Sequence, residues 1–314
     1  MKPFSVAGVQ MHISAFHGNV EAMGQQLTML VNQFPWVDMV VFSELAPFGP
    51  LPQNAPEDTA AVEAQFQEMA REHEIWLIPG SMFTHENGAR YNTTMVIDPA
   101  GEVVGRYHKM FPFMPYEHGV EPGHEFLVFD VPDVGRFGVT ICYDLWFPET
   151  TRTMAAMGAE VILAPTLTNT IDRDVELSIA RAMAAINQCY VIDVNGTGDG
   201  GYGRSIFVGP QGQVIHQSGS GPEVVPLQLN LDRVRWEREN GIHGLGQMLK
   251  SFRDRRVEFP VYRPEIFDNS YLESLGSIRK LERRATPHRA DSHPATDDLQ
   301  LPPGMPGAVA SGSH

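Results

Sequence analysis

The chain has 314 residues, 42% of them hydrophobic and 19% charged, which is typical of a globular protein with one large or two small domains. A formal net charge of −15 argues against nucleic acid or an anionic membrane surface as a partner. The two cysteines, Cys142 and Cys189, offer neither a disulfide framework nor a thiolate metal site, and no stretch approaches the roughly 20 uninterrupted apolar residues of a membrane span. We therefore expect a protein of the reducing cytoplasm.

The N-terminal third of the chain is predicted to alternate between strands and helices. Short apolar runs predict strands, and apolar residues at helical spacing predict helices. In chain order the predicted elements are a strand over residues 4–10, a helix over 20–34, a strand over 37–42, a helix over 59–73 and a strand over 75–78, followed by the turn Pro79-Gly80. This alternation is typical of a layered α/β fold.

Two segments in the middle of the chain share one pattern. Residues 94–104 and 205–215 each contain a strand, a Pro-x-Gly turn and a second strand, so each is predicted to form a β-hairpin. One hairpin in each half, with α/β units around it, indicates a two-fold pseudo-symmetric sandwich of sheets covered by helices. Pro-x-Gly hairpins are common in unrelated proteins, so the repeat alone is weak support for this architecture.

The composition of the chain changes after Pro264. We predict a main domain over residues 1–264 and a C-terminal extension over 265–314. Residues 265–284 are predicted to include a short helix, whereas residues 285–314 are rich in Pro, Ala, Ser, Gly and His and lack apolar periodicity. This last segment is predicted to be a tail that does not fold alone.

Three residues with complementary chemistry, Glu44, Lys109 and Cys142, each follow a predicted strand. A thiol is mostly protonated at neutral pH, so a nucleophilic cysteine needs a base or a positive neighbour. Glu44 could accept the thiol proton, and Lys109 could stabilise the oxyanion formed on attack, with the backbone N–H of Tyr143 as a second donor. Individually, such a carboxylate or amine is more often a surface charge, and a lone cysteine a small buried hydrophobe. Their combination favours one shared site.

The sequence around these residues resembles the carbon-nitrogen hydrolase (nitrilase) superfamily, on its amidase side. The resemblance covers roughly residues 4–235. It is carried by Val6-Ala7-Gly8-Val9-Gln10-Met11, Phe42-Ser43-Glu44, Tyr91-Asn92-Thr93-Thr94, Gly105-Arg106-Tyr107-His108-Lys109, Ile141-Cys142-Tyr143-Asp144 and Tyr190-Val191-Ile192-Asp193-Val194-Asn195. It implies a four-layer αββα sandwich and at least a homodimer, to which the segment after Leu245 contributes.

The resemblance also implies a role for each matching residue. Glu44 corresponds to the general base, Lys109 to the lysine that stabilises the tetrahedral intermediate, and Cys142 to the nucleophile. Glu117 corresponds to a second active-site glutamate, which orients groups or shuttles a proton; the alternative is a loop charge beside Glu121. This chemistry requires no metal ion and no organic cofactor.

Three residues, Tyr143, Trp146 and Thr166, are predicted to bind the substrate. Tyr143-Asp144 resembles the amidases, whereas nitrile-cleaving relatives usually have Trp-Glu there. Trp146 stands where relatives commonly have a basic residue, so either it favours an apolar or aromatic acyl group or it packs under the site. The loop that begins at Thr166 is predicted to line the pocket. Within it, Arg173 could bind an anion and Asp172 a cation, or both could be solvated.

The sequence thus predicts a cysteine amidohydrolase that converts a small primary amide to a carboxylic acid and ammonia through a thioester. Related alternatives are the cleavage of an N-carbamoyl compound or a nitrile, and transfer of the thioester to an amine. An alternative from another class is a catalytically silent scaffold on the same fold. The predicted partner is a small-molecule amide, and neither nucleic acid nor a membrane is expected.

Overall fold

The computed structural model describes residues 3–280, except residues 57 and 264. The chain divides into two compact units, residues 1–278 and residues 279–314. The predicted tail over residues 285–314 lies outside the described residues, as does the end of the helix predicted within residues 265–284. A helix of five residues, Ser270–Ser274, forms in the described part of that segment. The division predicted after residue 264 stays a prediction.

The predicted strand and helix alternation is present in the structure. The strands of the described residues are β1 Phe4–Gln10, β2 His12–Ile13, β3 Met39–Phe42, β4 Trp76–Ile78, β5 Ser81–Glu86, β6 Ala89–Ile97, β7 Val103–His108, β8 Leu127–Val131, β9 Gly135–Val139, β10 Val161–Thr166, β11 Tyr190–Asn195, β12 Thr197–Gly198, β13 Ile206–Val208, β14 Val214–Gln217 and β15 Glu223–Leu229. The α-helices are α1 Val20–Gln33, α2 Thr59–His73, α3 Pro148–Ala156, α4 Arg173–Asn187, α5 Leu231–Asn240, α6 Met248–Arg253 and α7 Ser270–Ser274. Short 3₁₀-helices span Pro52–Asn54, Cys142–Trp146 and Pro260–Tyr262.

Two large sheets have related topologies. The first has the order β15-β1-β3-β4-β6-β5, with β7 also paired to β6, and the second has the order β14-β13-β11-β10-β9-β8. Each contains three parallel neighbours, β1, β3 and β4 in the first and β9, β10 and β11 in the second. The antiparallel pairs β6–β7 and β13–β14 are the two predicted hairpins, one in each sheet. The two predicted hairpins are therefore confirmed, and the two sheets repeat one strand pattern.

Alternating side chains of the central strands build three apolar layers. In β3, Met39 and Val41 pack against residues of the second sheet, whereas Val40 and Phe42 pack against α1 and α2. In the second sheet, Val191 of β11 belongs to the cluster that contains residues of α3 and α4, and its neighbour Ile192 faces the first sheet. Because successive side chains of a strand point to opposite faces, each central strand is buried on both sides. The result is the predicted αββα sandwich.

The two sheets approach each other closely at Gly8. A Cβ atom at this position would lie 2.5 Å from the ring of Phe207 and 2.9 Å from the side chain of Val194. Any side chain here would therefore force Phe207 and Val194 to move. Glycine is the residue that permits this separation.

One edge of the sandwich collects the ends of four strands. The parallel strands β3, β9 and β10 end at this edge, and β7 runs in the same direction as β4 because both are antiparallel to β6. The loops after these strands therefore meet. These loops carry the candidate site residues.

Candidate active site

Glu44, Lys109 and Cys142 meet at this edge and line one cavity. Glu44 follows β3, Lys109 directly follows β7, and Cys142 follows β9. The turn at Gly80 fixes the first of these loops: its φ is +78°, and a Cβ atom would lie 1.9 Å from the carbonyl oxygen of Ser43. Glu44 precedes Lys109 by 65 positions and Cys142 by 98, and the direction of the strands together with the packing of the two sheets brings the three residues together.

Lys109 lies between two carboxylates. Its Nζ donates to Glu44 Oε1 at 2.8 Å and to Glu117 Oε2 at 2.7 Å, and the Lys109 and Glu44 side chains are almost completely buried. Asn92 connects the same two carboxylates, because its Nδ2 lies 2.9 Å from an oxygen of each. Glu117 also accepts the backbone N–H of Phe113 at 2.5 Å. Glu117 is therefore placed in the cluster and is not a loop charge.

Burial sets the protonation of this cluster. Burial raises the pKa of Glu44 to about 6, an effect that Lys109 opposes and Glu117 reinforces. Burial also disfavours the charged form of Lys109, but the carboxylates of Glu44 and Glu117 outweigh it and raise the pKa of that ammonium well above its ordinary value. Lys109 is therefore cationic at neutral pH, and the pKa of Glu44 lies close to neutrality, which suits proton transfer in both directions.

Cys142 has an unusual backbone. Its φ is +46°, in the left-handed region that residues other than glycine rarely adopt, and it begins the 3₁₀-helix Cys142–Trp146. Backbone N–H groups in a first helical turn lack intrahelical acceptors and point towards a ligand, so the N–H of Tyr143 is available as a donor. The Sγ atom lies 3.6 Å from the carbonyl oxygen of Leu167 and 3.9 Å from Thr168 Oγ1.

The Cys142 thiol is neutral at rest. Burial and the neighbouring Glu44 carboxylate raise its pKa well above the ordinary value, and Lys109 opposes the shift. The thiol in turn lowers the pKa of Glu44 by hydrogen bonding, an effect smaller than that of burial. An attack by sulfur at neutral pH therefore needs a base to take the proton as the reaction proceeds.

Asp144 ties the cysteine loop to the lysine loop. Its buried carboxylate accepts the backbone N–H of Ile141 at 3.0 Å, the N–H of Phe111 at 2.8 Å and the hydroxyl of Tyr107 at 2.7 Å. Burial raises the pKa of Asp144 to about 6, against the effects of Lys109 and of these donors. Because its partners lie on both loops, Asp144 fixes the position of Cys142 relative to Lys109.

The cavity has a volume of about 610 Å³ and adjoins both the thiol and the ammonium. Its apolar wall consists of Leu45, Pro50, Pro52, Phe83, Phe113, Tyr116, Tyr143, Trp146 and Leu167. The rings of Tyr143 and Trp146, both predicted to bind substrate, lie 5.9 Å apart in this wall. Trp146 Nε1 donates to Glu176 Oε1 at 3.2 Å, so the indole both lines the cavity and has a fixed orientation.

Two predictions about the loop after β10 are corrected. Thr166 is not among the residues that line the cavity: it is the last residue of β10, is buried, and its hydroxyl donates to the carbonyl of Ala164 at 3.1 Å. The loop itself does line the cavity, from Leu167 to Thr170 and again through Asp172. Thr168 points inward because its N–H donates to Asn195 Oδ1 at 3.0 Å and its hydroxyl to Glu176 at 2.9 Å.

The second correction concerns Arg173, which was predicted to lie in the loop, either binding an anion or solvated. It is neither solvated nor in a loop. It begins α4, is 1% exposed, and makes a two-point ion pair with Asp193 at 2.9 and 3.0 Å. It also donates to Glu176 Oε2 at 3.1 Å. Arg173 therefore anchors the start of α4 to β11 and does not face an anionic ligand in the cavity. Asp172, by contrast, lines the cavity.

Four residues that sequence reasoning did not assign to the site contribute to it: Asn92, Asp144, Thr168 and Glu176. Asn92 and Asp144 lie within the stretches that carry the family resemblance, and this position in the sequence could have indicated that they belong to the site. Glu176 and Arg173 form a charged i, i+3 pair on the face of α4 that also carries Leu177 and Ala180. A charged pair on an apolar helix face indicates a buried polar cluster.

The described residues contain no cluster of three or more His, Cys, Asp or Glu side chains suited to a metal ion. Within the same residues, no helix has the length and apolar character needed to cross a membrane. The site thus combines a thiol, a carboxylate with a pKa near neutrality, a buried ammonium and backbone donors around one cavity. Such a set can support acyl transfer to sulfur.

The sequence model of the carbon-nitrogen hydrolase family matches residues 5–238. The chain belongs to this family. It is therefore a hydrolase of carbon-nitrogen bonds other than peptide bonds, and its relatives include amidases.

Named relatives support this assignment. The chain is 31% identical to a deaminated glutathione amidase of Dictyostelium discoideum over 199 residues, which cover 56% of this chain and 67% of that protein. It is 30% identical to a 2-oxoglutaramate amidase of Bacillus subtilis over 215 residues, 65% of this chain and 82% of that protein. Among solved structures, an amidase from Nesterenkonia sp. AN1 with acrylamide added to its active-site cysteine has a TM-score of 0.66 and 25% identity, covering 75% of this chain and 97% of that one.

Proposed function

We propose that this protein hydrolyses a small primary amide to a carboxylic acid and ammonia, with Cys142 as the nucleophile. The observation that carries the proposal is the placement of the Cys142 thiol, the Glu44 carboxylate and the Lys109 ammonium around one cavity. A cavity of about 610 Å³ suits a small molecule and not a polypeptide chain.

The first half of the reaction forms a thioester. Glu44 takes the proton of the Cys142 thiol as the sulfur attacks the amide carbonyl. Lys109 and the backbone N–H of Tyr143 stabilise the negative charge that develops on the carbonyl oxygen. Glu44 then gives its proton to the departing nitrogen, the carbon-nitrogen bond breaks, and ammonia leaves.

The second half of the reaction regenerates the enzyme. Glu44, now ionised again, takes a proton from a water molecule that attacks the thioester carbonyl, and the carbon-sulfur bond breaks to release the acid. The thiolate recovers its proton from Glu44. A single carboxylate thus acts twice as base and twice as acid, which its pKa of about 6 favours.

Glu117 has a supporting role in this proposal. It accepts hydrogen bonds from Lys109, Asn92 and the Phe113 N–H, so its own position is fixed from three directions. It holds the Lys109 ammonium at the cavity while Glu44 changes its protonation state.

The test is ammonia release from a panel of aliphatic and aromatic primary amides, N-carbamoyl compounds and nitriles. We expect primary amides to be hydrolysed, with the acid identified by mass spectrometry. Cys142→Ala and Cys142→Ser should abolish turnover, because an alanine lacks the nucleophile and a hydroxyl is far harder to deprotonate. Cys189→Ala is the matched control, since Cys189 is buried in the core between β11 and α4 and should leave turnover intact.

Three outcomes would contradict the proposal. Turnover that survives in either Cys142 variant would show that Cys142 is not the nucleophile. If the enzyme hydrolyses only nitriles or only N-carbamoyl compounds, it is a nitrilase or an N-carbamoyl amidohydrolase and not an amidase of primary amides. Inactivity towards the whole panel would favour a silent scaffold.

A further inference from the structure

Glu176 occupies a central position in the wall of the cavity. Its Oε1 accepts two hydrogen bonds, from Trp146 Nε1 at 3.2 Å and from Thr168 Oγ1 at 2.9 Å. Thr168 Oγ1 in turn lies 3.9 Å from Cys142 Sγ. One carboxylate therefore positions both the indole of the apolar wall and the hydroxyl beside the nucleophile.

The negative charge of Glu176 is only partly compensated. Its ion-pair partner Arg173 makes two of its hydrogen bonds with Asp193 and one with Glu176, so one cation serves two buried carboxylates. The same stoichiometry holds on the other side of the cavity, where Lys109 serves Glu44 and Glu117. The carboxylate of Asp172 adds a further acidic group to the lining.

The described lining of the cavity therefore contains four carboxylates and one ammonium. That ammonium already has two carboxylate partners at 2.7 and 2.8 Å. A carboxylate at the far end of a substrate would find no uncommitted cation in the described lining, and it would share the cavity with the carboxylates of Glu176 and Asp172. In a partly desolvated cavity, repulsion between like charges is weakly screened.

We propose that Glu176 is a specificity-determining residue that excludes amides with a carboxylate at their non-reacting end and admits uncharged or cationic ones. Trp146 serves both accepted classes, because an indole face packs against an alkyl chain and attracts a cation. The inference rests on the proposed amide hydrolysis. It names the acyl groups that the cavity accepts.

The test compares three amides that reach equally far from the reacting carbonyl: hexanamide, 5-aminopentanamide and glutaramate. For the wild-type enzyme we expect kcat/KM for glutaramate to be at least about tenfold below that for hexanamide, with the difference mainly in KM. We expect 5-aminopentanamide to be hydrolysed at least as efficiently as hexanamide.

Glu176→Gln separates charge from position. With its oxygen towards Trp146 and Thr168, the glutamine still accepts from both but loses the hydrogen bond from Arg173, which keeps its two hydrogen bonds to Asp193. We expect the glutaramate to hexanamide ratio of kcat/KM to rise about tenfold and the 5-aminopentanamide to hexanamide ratio to fall. A purely structural role would change all three substrates together.

Asp174→Asn is the matched control. It removes the same charge from the same turn of α4, but the Asp174 side chain is 67% exposed and should leave both ratios within about twofold. If Glu176→Gln fails to fold, the wild-type ratios decide. Glutaramate hydrolysed as well as hexanamide, or ratios unchanged in a folded Glu176→Gln, would overturn this inference while leaving amide hydrolysis in place. Inactivity of the wild type towards all three amides would overturn this inference, and inactivity towards the whole panel of amides would overturn the proposed function with it.

Discussion

Two buried ion clusters flank the cavity, and each consists of one cation and two carboxylates. In the lysine cluster, Lys109 contacts Glu44 and Glu117; in the arginine cluster, Arg173 contacts Asp193 and Glu176. Lys109 lines the cavity, whereas the described lining does not include Arg173. Two clusters with the same number of cations and carboxylates therefore differ in whether the cation faces the cavity.

The difference follows from the chemistry of the two cations. A guanidinium is planar and binds a carboxylate through two parallel hydrogen bonds, as Arg173 does with Asp193, so its geometry is fixed. An ammonium is compact, and its three hydrogens can turn towards a new acceptor. Lys109 can therefore respond to charge that develops on a substrate, while Arg173 holds α4 against β11. We infer that Lys109 serves the reaction and Arg173 the architecture.

The largest effect should come from breaking the arginine cluster. Arg173→Ala leaves two carboxylates buried without their cation, and we expect it to lower the free energy of unfolding by about 3–5 kcal/mol. Urea unfolding followed by circular dichroism measures the change. Arg253→Ala, which removes an exposed arginine paired with Asp254, is the control and should change stability far less. A loss for Arg173→Ala as small as that of the control would deny the arginine cluster its structural role.

Breaking the lysine cluster should affect the rate. Lys109→Ala removes an oxyanion partner, and we expect kcat to fall on the order of 10²–10³-fold. Lys109→Arg sharpens the comparison, because it keeps the charge but replaces the ammonium with a planar fork, and it should also lose most of the rate. Steady-state kinetics on the best amide of the panel provides the measurement. A decrease below tenfold for Lys109→Ala would remove this lysine from its proposed role.

The smallest effect concerns the pH profile. The pKa of Glu44 is raised to about 6, and only its ionised form can accept the thiol proton, so kcat/KM should fall as the pH decreases through about 6. Asn92→Ala removes a hydrogen bond to the ionised form of Glu44, which should raise this pKa further and move the acidic limb to higher pH. The expected loss is therefore greater at pH 6 than at pH 8.

This last prediction has a clear contrary outcome. If Asn92→Ala lowers kcat/KM by the same factor at every pH, Asn92 acts only on the position of Glu44 and not on its protonation. A wild-type profile without an acidic limb would contradict the assignment of Glu44 as the base.

Much of the fold was predictable because it depends on local patterns. The helix predicted over residues 59–73 is present with those limits, and the strand predicted over residues 37–42 begins two residues later, at Met39. Alternation along β3 and helical spacing along α1 are properties of a few consecutive side chains, so they are visible without tertiary contacts. The predicted hairpins around the two Pro-x-Gly turns form for the same reason.

The loop after β10 shows where local patterns fail. Thr166 and Thr168 are the same residue type two positions apart, and only the end of β10 decides which one lines the cavity. Arg173 follows an Asp and precedes another, as a solvated residue often does, yet the helix start buries it against Asp193, 20 residues away in sequence. Sequence gives the charge of such a residue, but its partner depends on the packing of α4 on β11.

By itself, the sequence determined which elements form, which faces of them are apolar, and which side chains follow the strand ends, because each depends on residues that are neighbours in the chain. It also carried the resemblance that joined Glu44, Lys109 and Cys142. Only the tertiary structure decided that Asn92 bridges two carboxylates, that Asp144 ties two loops together and that Glu176 holds Trp146. Those contacts join segments 25 to 48 residues apart for Asn92 and 30 residues apart for Glu176, and the direction of the strands and the packing of the layers bring them together.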